Sequence, residues 1–125
     1  MAKAAPDATL DTMLTYIATS DTMYVCSAQP TTYAEASSTY ALADVAMTPG
    51  DGNDYTIGNG DSSGRKVAMA QKADIDIDTS GDATHIALTE GGDTLMYVTT
   101  CTTQTLSDTG TVTVPTWDIE IADPT

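Results

Sequence analysis

A chain of 125 residues fits one domain, long enough for a real core yet near the size at which partners add useful stability. Its 18 acidic residues face only Lys3, Arg65, Lys66 and Lys72, and the formal charge of −14 repels phosphate backbones, which argues against a nucleic-acid partner. Hydrophobic content of 41% argues against general disorder, and no apolar run reaches the roughly 18 residues of a membrane span.

The opening MAKAAPDATL lacks the apolar centre of a secretory signal, so no export is expected. Residues 1–20 read as an N-terminal arm with an amphipathic helix over about 7–18. Leu10, Met13, Leu14 and Ile17 fall at i, i+3, i+4 and i+7, and Asp7 and Asp11 complement the positive end of the helix dipole behind Pro6. Such a stripe either covers the domain's own core or docks on a neighbouring subunit.

Residues 21–125 read as a single β domain. TMYVCSA (22–28) is a short strand-like run ended by Gln29 and Pro30, and 31–47 begins alanine-rich and helix-tolerant before turning strand-like near Tyr40. The stretch 48–64, dense in Gly, Asn, Asp and Ser, is expected to be a long surface loop that binds something or moves. Residues 64–78 are one long strand or two with a bend. ATHIALTE (83–90) follows a turn at 79–82, and Gly91-Gly92-Asp93 makes a compact hairpin into TLMYVTTCTTQTL (94–106). After the turn SDTG (107–110), Trp117, Ile119 and Ile121 alternate with Asp118 and Glu120, and Pro115 marks an edge or a break. Threonine-rich short strands with regular turns predict a mainly β fold, an antiparallel β-sandwich or jelly-roll-like barrel with a short N-terminal α-helix.

ADIDIDTSGD (73–82) sets Asp74, Asp76, Asp78 and Asp82 at spacings that resemble the opening of a calcium loop. An EF-hand starting at Asp74 requires Gly at its sixth position and Glu at its twelfth, where this chain has Thr79 and His85. Ile75 and Ile77 between the acids instead predict a strand with a dry and a wet face, so the four aspartates are only weak metal candidates and no cofactor is expected.

Catalytic patterns are equally thin. His85, the single histidine, lies within a strand-like run, with Ala83, Ala87 and Thr89 expected on its face and Thr84, Ile86 and Leu88 on the other. The serines of GDSSG (60–64) lack the histidine and aspartate order of a triad, and GNGDSSGRK (58–66) leads into a strand where phosphate loops open a helix. Nothing in the residues indicates an enzyme. Cys26 and Cys101 lack zinc or CxxC spacing and read as buried thiols, a single bridge between them being the alternative.

CSAQPTTYAEA (26–36), GDSSGRKVAMA (60–70), ATHIAL (83–88), LMYVTTC (95–101) and PTWDIEIADPT (115–125), taken in order, resemble small virion structural proteins encoded among the head and tail genes of tailed bacteriophages. The resemblance covers nearly the whole chain, through motifs that describe strands and turns. It implies a capsid decoration or cement protein that binds the outer surface of the head and stabilises it; a tail, neck or tail-fibre adaptor is the alternative. Its partners would be the major capsid protein or other virion subunits, and itself as a homo-oligomer, with the helix at 7–18 and the loop at 48–64 as contact elements. The chain would be made in the host cytoplasm and end in the virion.

Overall fold

In the computed structural model, residues 5–123 are described; residues 1–4, the start of the expected arm, and the final Pro124 and Thr125 lie outside them. The helix α1 spans Asp7–Ile17 behind an extended Pro6, whose carbonyl accepts the amides of Thr9 and Leu10. Leu10 and Leu14 are buried and Ile17 is half-buried, as the stripe predicts, but Met13 is exposed. Asp11 sits on the opposite flank of the stripe from Met13. Its two carboxylate oxygens take Arg65 Nε at 2.7 Å and Nη2 at 3.2 Å, drawing that flank down and lifting Met13 clear.

Among the described residues nine strands follow: β1 Thr22–Cys26, β2 Ala41–Ala46, β3 Tyr55–Asn59, β4 Arg65–Met69, β5 Lys72–Asp76, β6 Gly81–Glu90, β7 Thr94–Leu106, β8 Thr111–Val114 and β9 Trp117–Ile121. They form an antiparallel, sandwich-like fold: a four-stranded sheet in the order β2-β1-β6-β7, a three-stranded sheet β3-β4-β9 and a ribbon of β5 and β8. One buried cluster draws Met23, Val25, Ile86 and Leu88 from the first sheet, Tyr55, Val67, Met69 and Ile119 from the second, and Ile75 and Val114 from the ribbon. Leu14 of α1 closes it from the side of the second sheet. A smaller cluster of Cys26, Ala36 and Ala87 lies on the other face of the first sheet, beneath a single π-helical turn at Glu35–Thr39.

The Gly91 and Gly92 turn holds φ of 67° and 76°, a left-handed pair that side chains disfavour, and it returns β6 into β7. The bend expected in 64–78 falls at Ala70 and Gln71, between β4 and β5. Pro115 and Thr116 separate β8 from β9, and Thr116 Oγ1 donates to the Met69 carbonyl across that gap.

Three expectations need correction. The stretch 48–64 is not one loop, because Tyr55–Asn59 pairs with β4 and leaves only 48–54 and 60–64 outside strands. Its Gly, Asn and Asp hid a strand whose anchor is a single aromatic: Tyr55 is fully buried and its hydroxyl donates to the Ser20 carbonyl at 2.8 Å. Gly81 and Asp82 belong to β6, so the turn before it is shorter than 79–82. Ala83 does not share the His85 face. A bulge between them breaks the alternation and sends Ala83 into the main core with Ile86 and Leu88.

Burial, opposed by the Ser20 hydrogen bond and reinforced by Asp54 and Asp21, pushes the Tyr55 phenol up to about 12, so it remains a neutral donor. Loss of that hydroxyl in Tyr55→Phe should cost about 0.5–1.5 kcal/mol in urea unfolding. Tyr55→Ala should cost about 3–5 kcal/mol, because it also empties a cavity among Val67, Met69 and Leu14.

Candidate interaction surface

Asp74 and Asp76 stand on the exposed face of β5 while Ile75 and Ile77 are buried between them, the wet and dry division that the alternation predicts. Asp74 takes φ of 55° at a bulge in β5, and Asp82 accepts a hydrogen bond from Thr105 across the β6 and β7 pair. Among the described residues no group of three His, Cys, Asp or Glu side chains is placed to hold a metal ion. Asp78 lies beside Asp44 of β2. Partial loss of water, then hydrogen bonding and charge repulsion from Asp78, push Asp44 above the ordinary carboxylate range.

His85 is half-buried, with Nδ1 at 2.8 Å from Thr84 Oγ1, while Ser62 and Ser63 lie in the β3–β4 turn of the other sheet, where Ser63 Oγ accepts the Asp123 amide. The fold does not bring the histidine and those serines together. Both cysteines are free thiols: Cys26 is buried, with Sγ 3.6 Å from the Ala36 carbonyl, and burial pushes it up to about 11. Cys101 is only half-buried, against the expectation of two buried thiols, because it sits on the edge strand β7.

The surface that stands out is the side of the sandwich where β7 and β9 lie next to one another. Each pairs with one strand only among the described residues, β7 with β6 and β9 with β4. No ladder joins them, and the contact between them is aromatic. Tyr97 and Trp117 pack with ring centroids 6.3 Å apart and planes inclined by 30°, within the usual range for an aromatic pair. This bar divides the seam into two clefts. One, of about 610 Å³, is walled by Ile86, Thr99, Cys101, Val112, Val114 and Trp117. The other, of about 460 Å³, runs beneath Met13, Tyr16, Ile17, Met96, Tyr97 and Ile121. Met13 and Tyr16, 59% and 62% exposed, are the large apolar side chains left in water among the described residues, and both border this second cleft. The Trp117 indole nitrogen is out of water and has no acceptor, an unmet need that costs about 1–3 kcal/mol.

Charge surrounds the seam without filling it. Arg65 is committed to Asp11, Lys66 to Asp61 and Asp118, and Lys72 to Asp54. Burial works against the Asp54 carboxylate, but Lys72 and the Thr48 amide outweigh it and hold Asp54 below its usual range. Three of the four cations are thus spent inside the domain. Asp118 and Glu120 line the clefts, and among the described residues no lysine, arginine or histidine does.

The 48–64 stretch, expected as a contact element, supplies no lining residue to either cleft, whereas the helix expected in that role does reach the seam. The aromatic bar was not foreseen. Its signal was present in TLMYVTTCTTQTL, thirteen residues without charge or proline inside a strongly acidic chain.

No family model matches the chain, and neither a curated protein nor a solved structure matches it.

Two outcomes are expected. Asp44 binds its proton more tightly folded than unfolded, so its contribution falls as pH rises from the ordinary aspartate value of about 3.9 through its raised folded value. Asp44→Asn, which can donate to Asp78 at every pH, should therefore gain stability over the parent as pH rises, seen as a widening gap in urea midpoints. Met13→Ser and Tyr16→Ser should each shift stability by less than about 0.5 kcal/mol, whereas Leu14→Ala should cost about 2–5 kcal/mol.

Proposed function

We propose that this chain is a non-enzymatic virion structural protein of a tailed bacteriophage, a decoration or cement protein that binds the outer surface of the head and stabilises it. The observation that carries the reading is the β7 and β9 seam: a mostly apolar strip with exposed Met13 and Tyr16 and the acids Asp118 and Glu120 at its border, on a domain of formal charge −14. An acidic exterior keeps such a domain soluble and apart from its copies, while one apolar strip gives it a place to attach. The ordered resemblance of CSAQPTTYAEA, ATHIAL, LMYVTTC and PTWDIEIADPT to small virion proteins supports the setting.

A cement protein gains from numbers. An interface of standard size, about 1,200–2,000 Å² in total, is specific on its own. Repetition over a symmetric shell multiplies a modest gain per site, and a subunit that touches two shell proteins at once gains further through effective concentration. The major capsid protein is the partner in this reading, and self-association on the shell is secondary to it.

Copy number in purified particles tests the proposal. Quantitative mass spectrometry should find this chain in numbers comparable to the major capsid protein, and heads lacking it should rupture at lower temperature. A handful of copies per particle would transfer it to the neck, tail or fibre, and its absence from particles would end the virion reading.

A further inference from the structure

Edge strands in soluble proteins are normally guarded by charge, proline, shortness or bulges. β7 has thirteen residues without charge or proline, and its only guards are two bulges, one near Met96 and one between Thr100 and Gln104. Between them residues 97–100 run in regular register, Tyr97 to Leu88, Val98 to Ala87, Thr99 to Ile86 and Thr100 to His85. This is a short, regular, uncharged template, with one cleft on either side of the Tyr97 and Trp117 bar.

We propose that this edge receives an extended segment of a different, cationic polypeptide, which pairs along residues 97–100 as an added strand. Main-chain hydrogen bonds would supply affinity, and alternate apolar side chains would enter the clefts, the usual division of labour in strand addition. The first cleft, about 610 Å³, falls within the roughly 300–1,000 Å³ typical of binding pockets. The Trp117 ring walls this cleft, so its indole group reports what fills it.

Charge decides between a second copy and another protein. Two copies would bring two domains of formal charge −14 together, with Asp118 and Glu120 of each at the seam and, among the described residues, only Lys66 beside Asp118 to offset them. A segment flanked by lysine or arginine meets those same acids as partners. The inference rests on the decoration reading for where such a segment resides, and on the seam alone for how it binds.

The probe is a labelled peptide of about eight residues, alternating valine and threonine between terminal lysines, a usual strand length. Trp117 is the single tryptophan, so its indole N–H signal in NMR reports the cleft without ambiguity. The intact protein should bind the probe, shift that signal, and lose affinity as salt rises. A peptide with glutamate at both ends should bind at least about tenfold more weakly. Thr100→Lys, a charge on the template, should weaken the lysine probe at least about tenfold. Thr109→Lys, the same charge in the β7–β8 turn, should leave binding unchanged. No binding at millimolar probe, equal loss in both variants, or a dimer that forms through this edge and disappears in Thr100→Lys would each overturn the proposal.

Heads stripped of the protein separate this inference from the reading beneath it. Heads that take up the parent and the Thr100→Lys variant equally overturn strand addition and leave the decoration role standing. Heads that take up neither the parent nor any variant overturn the decoration role, and the peptide then still decides strand addition.

Discussion

Past β2 the backbone keeps pairing. Ala43 bridges Ile77, and the amides of Asp78 and Thr79 both donate to the Leu42 carbonyl, so the first sheet continues into the chain beyond β5. On the far side of the sandwich no such ladder exists, and Tyr97 against Trp117 is what holds β7 to β9. Hydrogen-bonded closure satisfies backbone groups and leaves no edge to solvent. Closure by side chains does neither, so the clefts, the orphaned indole and the uncharged edge all gather along that one seam. The core is common to both sides, since Leu88 and Ile119 bury in one cluster with Tyr55 and Leu14. The asymmetry therefore belongs to the rim and not to the interior.

Electrostatics works in the same direction. Arg65 fixes α1 to β4, Lys72 fixes the 48–54 loop through Asp54, and Lys66 ties β4 to Asp118 of β9 and to the 60–64 turn. Each of these three cations joins two elements of the fold. The exposed Lys66–Asp61 pair is worth at most about 1 kcal/mol, while the Arg65–Asp11 and Lys72–Asp54 pairs are part-buried and fix the geometry of the elements that they join. Their other effect is to leave the acids elsewhere without internal compensation, which keeps copies of the domain apart at a distance. Close contact is then selective for a partner that carries the missing charge.

Much of this architecture was legible in the residues. Alternation placed Ile75 and Ile77 inward with Asp74 and Asp76 outward, and the same rule gave Ile119 its buried place between Asp118 and Glu120. Gly91 and Gly92 announced their hairpin because only a left-handed turn matches the twist of the flanking strands. What failed was information carried by distant contacts. Tyr55 is a strand residue because Ser20 and Met69 are waiting for it, and no local signal in a Gly- and Asp-rich stretch reveals that. Ala83 was misplaced because the register of β6 with β7 breaks between Ala83 and His85, and strict alternation does not carry through such a break. Met13 followed the helical period and still faced water, since the Arg65 and Asp11 pair sets the roll of the helix. The seam was half-visible: the uncharged run was in plain sight, but which strand would lie beside it was not.

Amide hydrogen exchange of the dilute protein tests the central claim most directly, that backbone closes one side of this sandwich and side chains alone close the other. Amides of β1 and β6, paired on both sides, should be protected to the limit of global unfolding. Along residues 97–100 of β7, protection should alternate, with the amides that face β6 slow and those that face the seam fast. Uniformly slow exchange through that stretch would mean that the edge is already paired, and the account of an open seam would be wrong.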